Sequence, residues 1–215
     1  MMKIEKIVLS EQIKTRLIDE IITGTYKPGD RLIEIALSRR FNVSQSPVRE
    51  ALKGLEEMGF VTQEPYKGAT VRSISDKDFI EAVTVRAALE SLAAGLAAER
   101  CTAADIDILE GILTEMVNCA EAGDETNRIQ ANNRFHDEII RISGHNLIAK
   151  LSNTLRFASL SYIKGTRLAG DIMLHFVTRH RRIINALAAH NVIEAEEEMR
   201  RHIEENIPQK EDNDQ

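Results

Sequence analysis

Three of the six histidines in this chain have the spacing expected of side chains that meet inside a helical domain. His136 shares a helical face with Asn132, four residues earlier. His180 and His202 each fall in the apolar stripe of a later helical stretch, so all three are predicted to point inward. Neutral imidazoles that converge with a side-chain oxygen form a suitable site for Zn²⁺ or a similar divalent ion. The alternative is a set of core histidines, each satisfied by a neighbouring polar group.

An open metal site with three histidines is also compatible with a metal-dependent hydrolase. The sequence contains no His-Glu-x-x-His arrangement, no glycine-rich phosphate loop and no nucleophile elbow. We therefore do not expect an enzyme.

A second group of residues has the sequence pattern of a helix that enters a DNA groove. Ser44 is predicted to cap this helix, Pro47 lies in its first turn and Gly59 ends it. A short helix is predicted before it at 34–41, and two strands follow at 60–62 and 69–71, around a turn at 65–68. Residues 9–73 therefore predict a winged helix-turn-helix, which would bind double-stranded operator DNA.

Several side chains of this first region are candidates for DNA contact. Arg49 projects from the early recognition helix and is predicted to contact a base or a nearby phosphate. Gln45 can pair bidentately with adenine, and Gly68 would let the wing backbone approach the minor groove, unless it is simply a turn glycine. The remaining candidates are hydroxyl and basic residues on the second and third helices: Ser44, Ser46, Arg39, Arg40 and Lys53. For Arg39 and Arg40 the alternative is a solvated helix face.

The charge of the chain is divided unevenly. The net charge is −6, but residues 1–75 carry +2 and residues 76–215 carry −8. We predict two domains with these bounds. DNA binding by the first domain should be sensitive to salt, and because its positive charge is weak, we expect binding to need a homodimer. No segment is long and apolar enough for a bilayer, so no membrane partner and a cytoplasmic location are expected.

Beyond residue 75 the sequence predicts only helices. The expected fold is mainly α, with the winged helix-turn-helix followed by a six-helix antiparallel bundle, and a frayed, disordered tail at about 208–215. The six predicted helices span 76–99, 103–121, 125–143, 146–163, 168–190 and 192–207.

Four sequence blocks, in this order, resemble the GntR family of bacterial transcription regulators. They are Pro28-Gly29-Asp30-Arg31-Leu32, the run from Ser46 to Leu52, the run from Leu55 to Val61, and Val85-Arg86-Ala87-Ala88-Leu89-Glu90. The last block is similar to the start of the all-helical, FCD-type and VanR-like effector domain of the FadR subgroup. The resemblance implies a ligand-responsive regulator, with repression relieved by a metabolite as the usual mode. Gln45 and Ile35 stand where relatives often carry arginine, so a different operator is expected.

The resemblance also implies a metal site formed by Asn132, His136, His180 and His202, with zinc favoured and nickel or manganese as alternatives. Asn132 in place of aspartate removes a carboxylate charge, which should lower the affinity and change the metal preference. Arg86 is the candidate anchor for a small carboxylate effector, since guanidinium matches carboxylate geometry. For Arg86, the alternative is a salt bridge to Glu90. For the cluster, the alternative is that the histidines, or a metal bound to them, have a purely structural function.

Overall fold

The structure, a computed structural model, describes residues 9–22, 24–64, 68–73, 75–152, 155, 171–205 and 207. The chain forms two compact units, Met1–Ser75 and Asp76–Gln215. The predicted mainly helical fold is confirmed. Four predicted features lie outside the described residues: the turn residues 65–67, the end of the helix predicted at 146–163, the start of the one predicted at 168–190, and the tail at 208–215.

The described residues of the first unit form three helices and a small antiparallel sheet. Strand β3 lies between β1 and β2, so the sheet has the order β1-β3-β2. The two-residue strand β1 pairs Arg31 with Thr70 and was not predicted. The elements are α1 (Leu9–Ile22), β1 (Arg31–Leu32), α2 (Glu34–Phe41), α3 (Gln45–Glu57), β2 (Val61–Glu64) and β3 (Gly68–Val71).

Helix α3 packs one face into the core of this unit and leaves the other exposed. Its buried residues, Val48, Leu52 and Leu55, recur at the three- and four-residue spacing of one helical face. Gly59, with φ of 77°, follows the end of the helix as predicted. Ser44 does occupy the N-cap position, but its hydroxyl makes no capping hydrogen bond, so that part of the prediction was wrong.

All the regular secondary structure among the described residues of the second unit is helical. Helix α4 packs against α8, α6 and α7, while α5 packs against α6 and α7. The elements are α4 (Asp76–Ala98), α5 (Ala103–Glu121), α6 (Glu125–Ser143), α7 (Asp171–Ala188) and α8 (Val192–Glu204), and residues 146–152 are also helical. No helix among the described residues is sufficiently long and apolar to cross a bilayer.

Individual residues set where the helices begin and how closely the helices pack. Thr102 and Asp105 form a reciprocal capping box at the start of α5. On α4, Gly95 faces Glu196 of α8 so closely that a methyl group would collide with the carboxylate. The tight contact between α4 and α8 helps to enclose a shared interior with α6 and α7, where the histidines lie.

Candidate metal centre and DNA-binding surface

The three predicted histidines meet in the buried interior of the second unit. His136 comes from α6, His180 from α7 and His202 from α8, and a ring nitrogen of each lies within 4.8 Å of those of the others. The Nε2 atoms of His136 and His202 are 3.3 Å apart. The Nε2 atom of His180 lies 3.0 Å from the Oδ1 atom of Asn132. All four residues predicted as metal ligands are therefore neighbours.

Aromatic side chains enclose one side of this cluster. The edge of Phe135 packs against His180 with 4.9 Å between ring centroids, and Phe176 lies 4.3 Å from the same imidazole. Phe135 is completely buried. These rings exclude water from the cluster and fix the ring of His180 in place.

Two of the histidines have their outer nitrogens held by other groups. His180 Nδ1 lies 2.8 Å from the carbonyl oxygen of Phe176, to which it donates. His136 Nδ1 lies 2.6 Å from Glu90 Oε2. In both rings Nε2 therefore faces the cluster and is the nitrogen available to bind a metal, an arrangement typical of metal-binding histidines.

Burial also keeps the imidazoles neutral. Burial lowers the pKa of His180 to about 3, although the hydrogen bond to the Phe176 carbonyl acts to raise it. Burial likewise lowers the pKa of His136 and that of His202 below the ordinary histidine value. The neutral imidazole is the form that binds a metal, so no proton has to be displaced from these rings near neutral pH.

Two of the spacings between donor atoms fit a divalent ion. With metal–ligand bonds of about 2.0–2.1 Å, adjacent ligand atoms in tetrahedral or octahedral geometry lie roughly 2.9–3.4 Å apart. The two distances of 3.0 and 3.3 Å fall in this range. Three imidazole nitrogens and one amide oxygen suit zinc, and nickel or manganese are alternatives.

Arg86 lies beside the cluster but is already paired. Its Nε atom is 2.5 Å from Glu90 Oε1, so the salt bridge expected as the alternative for Arg86 is present. Burial acts to raise the pKa of Glu90, but Arg86 and His136 outweigh it and hold that pKa at about 2. Glu90 thus links Arg86 to His136 as a buried carboxylate. Sequence reasoning missed this link, and the only available signal was an acidic residue on the buried face of α4.

A small cavity adjoins these residues. Its volume is about 20 Å³, and the polar residues on its wall are Arg86, Glu90, Asn133, His136, Asp137 and Ser152. The Ser152 hydroxyl is buried and has no hydrogen-bond partner among the described residues. Arg86 Nη1 makes no hydrogen bond in the same part of the chain. Two residues that each have an unused donor, Arg86 and Ser152, therefore line the same cavity as the carboxylates of Glu90 and Asp137.

In the first unit, the exposed face of α3 holds most of the predicted DNA contacts. Arg49 is 65% exposed, yet its guanidinium pairs with Glu34 of α2 at 2.9 Å. The hydroxyl, amide and basic side chains on or beside this face are exposed: Ser44, Gln45, Ser46, Lys53 and, on α2, Arg39. The face is available to a groove, and contact with DNA stays a prediction for each residue.

Arg40 and Gly68 have structural functions of their own. The Arg40 guanidinium binds the buried carboxylate of Glu20 and the Tyr26 hydroxyl, so it ties α2 to α1. Gly68 has φ of 82°, a backbone conformation that disfavours other residues. Leu32 O would lie 3.5 Å from an added Cβ at this position. DNA contact by either residue also stays a prediction.

Comparisons with known proteins agree with both units. The profile of the bacterial regulatory proteins, gntR family, matches residues 9–71, and that of the FCD domain matches residues 81–205. The HTH-type transcriptional regulator YdhC of Bacillus subtilis is 31% identical over 185 residues, covering 84% of this chain and 81% of the relative. A probable D-xylose utilization operon transcriptional repressor of Paenarthrobacter nicotinovorans is 27% identical, covering 96% and 90%.

The solved structure of E. coli McbR/YncC has the same fold. It aligns with a TM-score of 0.81 over 94% of this chain and 96% of that chain, at 24% identity. The chain therefore belongs to the GntR family of bacterial transcription regulators, which are not enzymes, and it carries an FCD domain after its helix-turn-helix.

Proposed function

We propose that this GntR-family regulator is a cytoplasmic, metal-dependent sensor of a small organic acid. The observation that carries the proposal is the buried cluster of three neutral imidazoles and an amide, with donor spacings of 3.0 and 3.3 Å. His136, His180, His202 and Asn132 would hold the ion. Zinc is favoured by this donor set, and nickel or manganese are alternatives.

The residues around the cluster would orient the ligands and receive the effector. Glu90 fixes the ring of His136, and the Phe176 carbonyl fixes that of His180. A bound ion would supply a Lewis-acidic position for a carboxylate, because four protein ligands leave room for one or two more on a metal that accepts five or six. Arg86 is the proposed second anchor for that carboxylate, through the Nη1 atom that Glu90 does not use.

The DNA-binding unit would act in a homodimer. Helix α3 would enter the major groove at each half of a near-palindromic operator, and the effector would act through the segment at residues 72–78. An effector changes operator affinity only if it binds the two states of the protein with different affinities. Repression relieved by the effector is the proposed sign, and relatives that include the probable xylose operon repressor support it.

A purely structural cluster is the competing proposal. The distance of 3.0 Å between Asn132 and His180 also fits a hydrogen bond donated by the amide nitrogen, if the amide is turned. In that case the histidines would stabilise the bundle without a metal.

Elemental analysis of untagged protein separates these proposals. We expect about one divalent ion per chain, lost in the His136→Ala variant and kept in a His145→Ala variant, which lies outside the cluster. Absence of metal after supplementation with zinc, nickel and manganese would refute the metal site.

The second experiment tests whether the site senses a ligand. Operator affinity is measured against a panel of small carboxylates, with the metal-loaded protein and with its His180→Ala variant. We expect the variant to lose metal and effector response together, while keeping its operator affinity in the absence of effector. A variant that still holds metal and responds normally would show that the proposed ligand set is wrong.

A further inference from the structure

The guanidinium of Arg49 is held in one orientation by the carboxylate of Glu34. Its Nε atom donates to both carboxylate oxygens at 3.2 Å, and its Nη2 atom donates to Oε2 at 2.9 Å. Glu34 is the first residue of α2, and Leu37 of that helix and Val48 of α3 are buried in the core of the unit. The ion pair therefore joins two helices whose positions are set by core packing.

One edge of the Arg49 guanidinium is left for another acceptor. Glu34 occupies Nε and Nη2, the side edge of the group, whereas Nη1 donates no hydrogen bond among the described residues. The N–H donors of arginine have a rigid, planar arrangement, so the end edge formed by Nη1 and the second N–H of Nη2 stays free. Two parallel donors of this kind match the O6 and N7 acceptors of guanine.

An arginine held in this way discriminates between bases more strictly than a mobile one. A mobile side chain that meets the wrong base pair can turn to a phosphate or to a single acceptor such as adenine N7, and so recovers part of the lost binding. Glu34 opposes this turn, because other rotamers of Arg49 break its hydrogen bonds. The carboxylate also repels the phosphates of every sequence equally. Its contribution would therefore be to discrimination, which is a difference between two affinities.

We propose that Glu34 is a positioning residue for base recognition, which holds Arg49 so that the end of its guanidinium binds a guanine of the operator. This inference rests on the proposed contact between Arg49 and DNA. It specifies which base that contact selects and which residue restricts the choice.

Selection of bound sequences from duplexes with a randomised central segment tests this assignment, with the full chain as the binding protein. The position read by Arg49 is the one whose base preference disappears in Arg49→Ala, and we expect guanine there. The Kd is then measured for the selected duplex and for the same duplex with that G·C pair changed to A·T. The native protein should bind the second duplex about 5- to 150-fold more weakly, the value of one bidentate base contact.

Glu34→Ala should lower this ratio by about fivefold or more, without weakening the binding of the guanine duplex. The released Arg49 is expected to contact a phosphate, so the slope of log K against log salt should steepen by about 0.9. Loss of a purely structural contact would not steepen this slope. The double variant with Glu34→Ala and Arg49→Ala should have the same ratio as Arg49→Ala, because Glu34 acts through Arg49.

Glu57→Ala is the matched control, because it removes an equal charge from an exposed residue that lies 4.0 Å from Lys53 on α3. Its ratio should equal that of the native protein. A native ratio in Glu34→Ala, shown to be folded by urea unfolding, would overturn the positioning role and leave the Arg49 contact intact.

The selection itself separates the remaining outcomes. If no position loses its preference in Arg49→Ala, the contact of Arg49 with a base is overturned and the inference with it. Selection of a base other than guanine at the Arg49 position would overturn the assignment to guanine. Selection of no preferred sequence by the native protein would overturn the proposed operator binding.

Discussion

Replacing Glu90 with glutamine tests the buried link between Arg86 and His136. The carboxylate accepts from Arg86 Nε at 2.5 Å and lies 2.6 Å from His136 Nδ1, and Glu90 is only 3% exposed. Glutamine keeps the shape of the side chain and one oxygen acceptor, but it removes the charge. The Arg86 side chain, 13% exposed, would then be left without its counter-charge.

The magnitude follows from this burial. Removal of one partner from a buried ion pair costs about 3–5 kcal/mol, and the remaining acceptor of glutamine places the expected loss near the lower end, at about 3 kcal/mol. Zinc binding should weaken by about 10–100-fold, because His136 loses the partner that orients its ring. Urea unfolding of the metal-free protein measures the first effect, and chelator competition measures the second.

The same helix supplies a matched control. Lys77 and Glu81 form a pair with the same four-residue spacing on α4, but their side chains are 83% and 65% exposed. Glu81→Gln should therefore change the free energy of unfolding by less than about 0.5 kcal/mol. Equal losses for Glu81→Gln and Glu90→Gln would refute the argument from burial. Unchanged zinc affinity in Glu90→Gln would show that Glu90 does not contribute to metal binding.

Three further predictions concern acid stability, DNA binding and the first unit. Below pH 6.5 the unfolded chain protonates histidines that the folded protein keeps neutral, so metal-free protein should lose stability as the pH falls; His180, with a pKa of about 3, should account for about 2 kcal/mol of this loss between pH 7.5 and 5. Urea titrations should show a smaller loss in His180→Phe, and an unchanged loss would contradict the burial of that neutral ring. Arg49→Ala should weaken operator binding about 5- to 150-fold, the value of one base contact, with the helical domain still folded; unchanged binding in a mobility-shift assay would exclude the contact. Glu34→Ala, which frees Arg49, should not weaken binding. Glu20→Gln should cost about 1–2 kcal/mol in urea unfolding because it removes the charge of the buried carboxylate that binds Arg40, and no loss would show that this charge does not help to join α1 to α2.

Most helices of the described residues could be predicted because their signals are local. The capping box at Thr102 and the apolar periodicity of the following residues give α5 its predicted bounds, 103–121, and the same kind of signal sets α6 at 125–143. Strand β1 was missed because Arg31 and Leu32 are too few residues to show alternation. Their pairing with β3 depends on contacts about forty residues away in sequence.

The site could be predicted only in part, for a similar reason. Each of the three histidines falls in the apolar stripe of its own helix. The spacing along that helix is enough to predict that the side chain points inward, and no contact with another helix has to be known. The contact of Glu90 with His136 joins two helices, and no residue spacing in the sequence indicates it. The pairing of Arg49 with Glu34 was missed in the same way, because the turn geometry between α2 and α3 decides which side chains meet.

The amide oxygen of Asn132 has a consequence for the evolution of the proposed metal site. Asparagine and aspartate codons differ by one base, so a single nucleotide change at residue 132 would add a negative charge to the four donors without altering their shape. At the proposed metal site, such a change would supply a carboxylate ligand, which should bind a divalent ion more tightly than the amide oxygen does. Natural variants at Asn132 would thus adjust how tightly the proposed site holds its metal, while the helix α3 that is predicted to contact DNA stays the same.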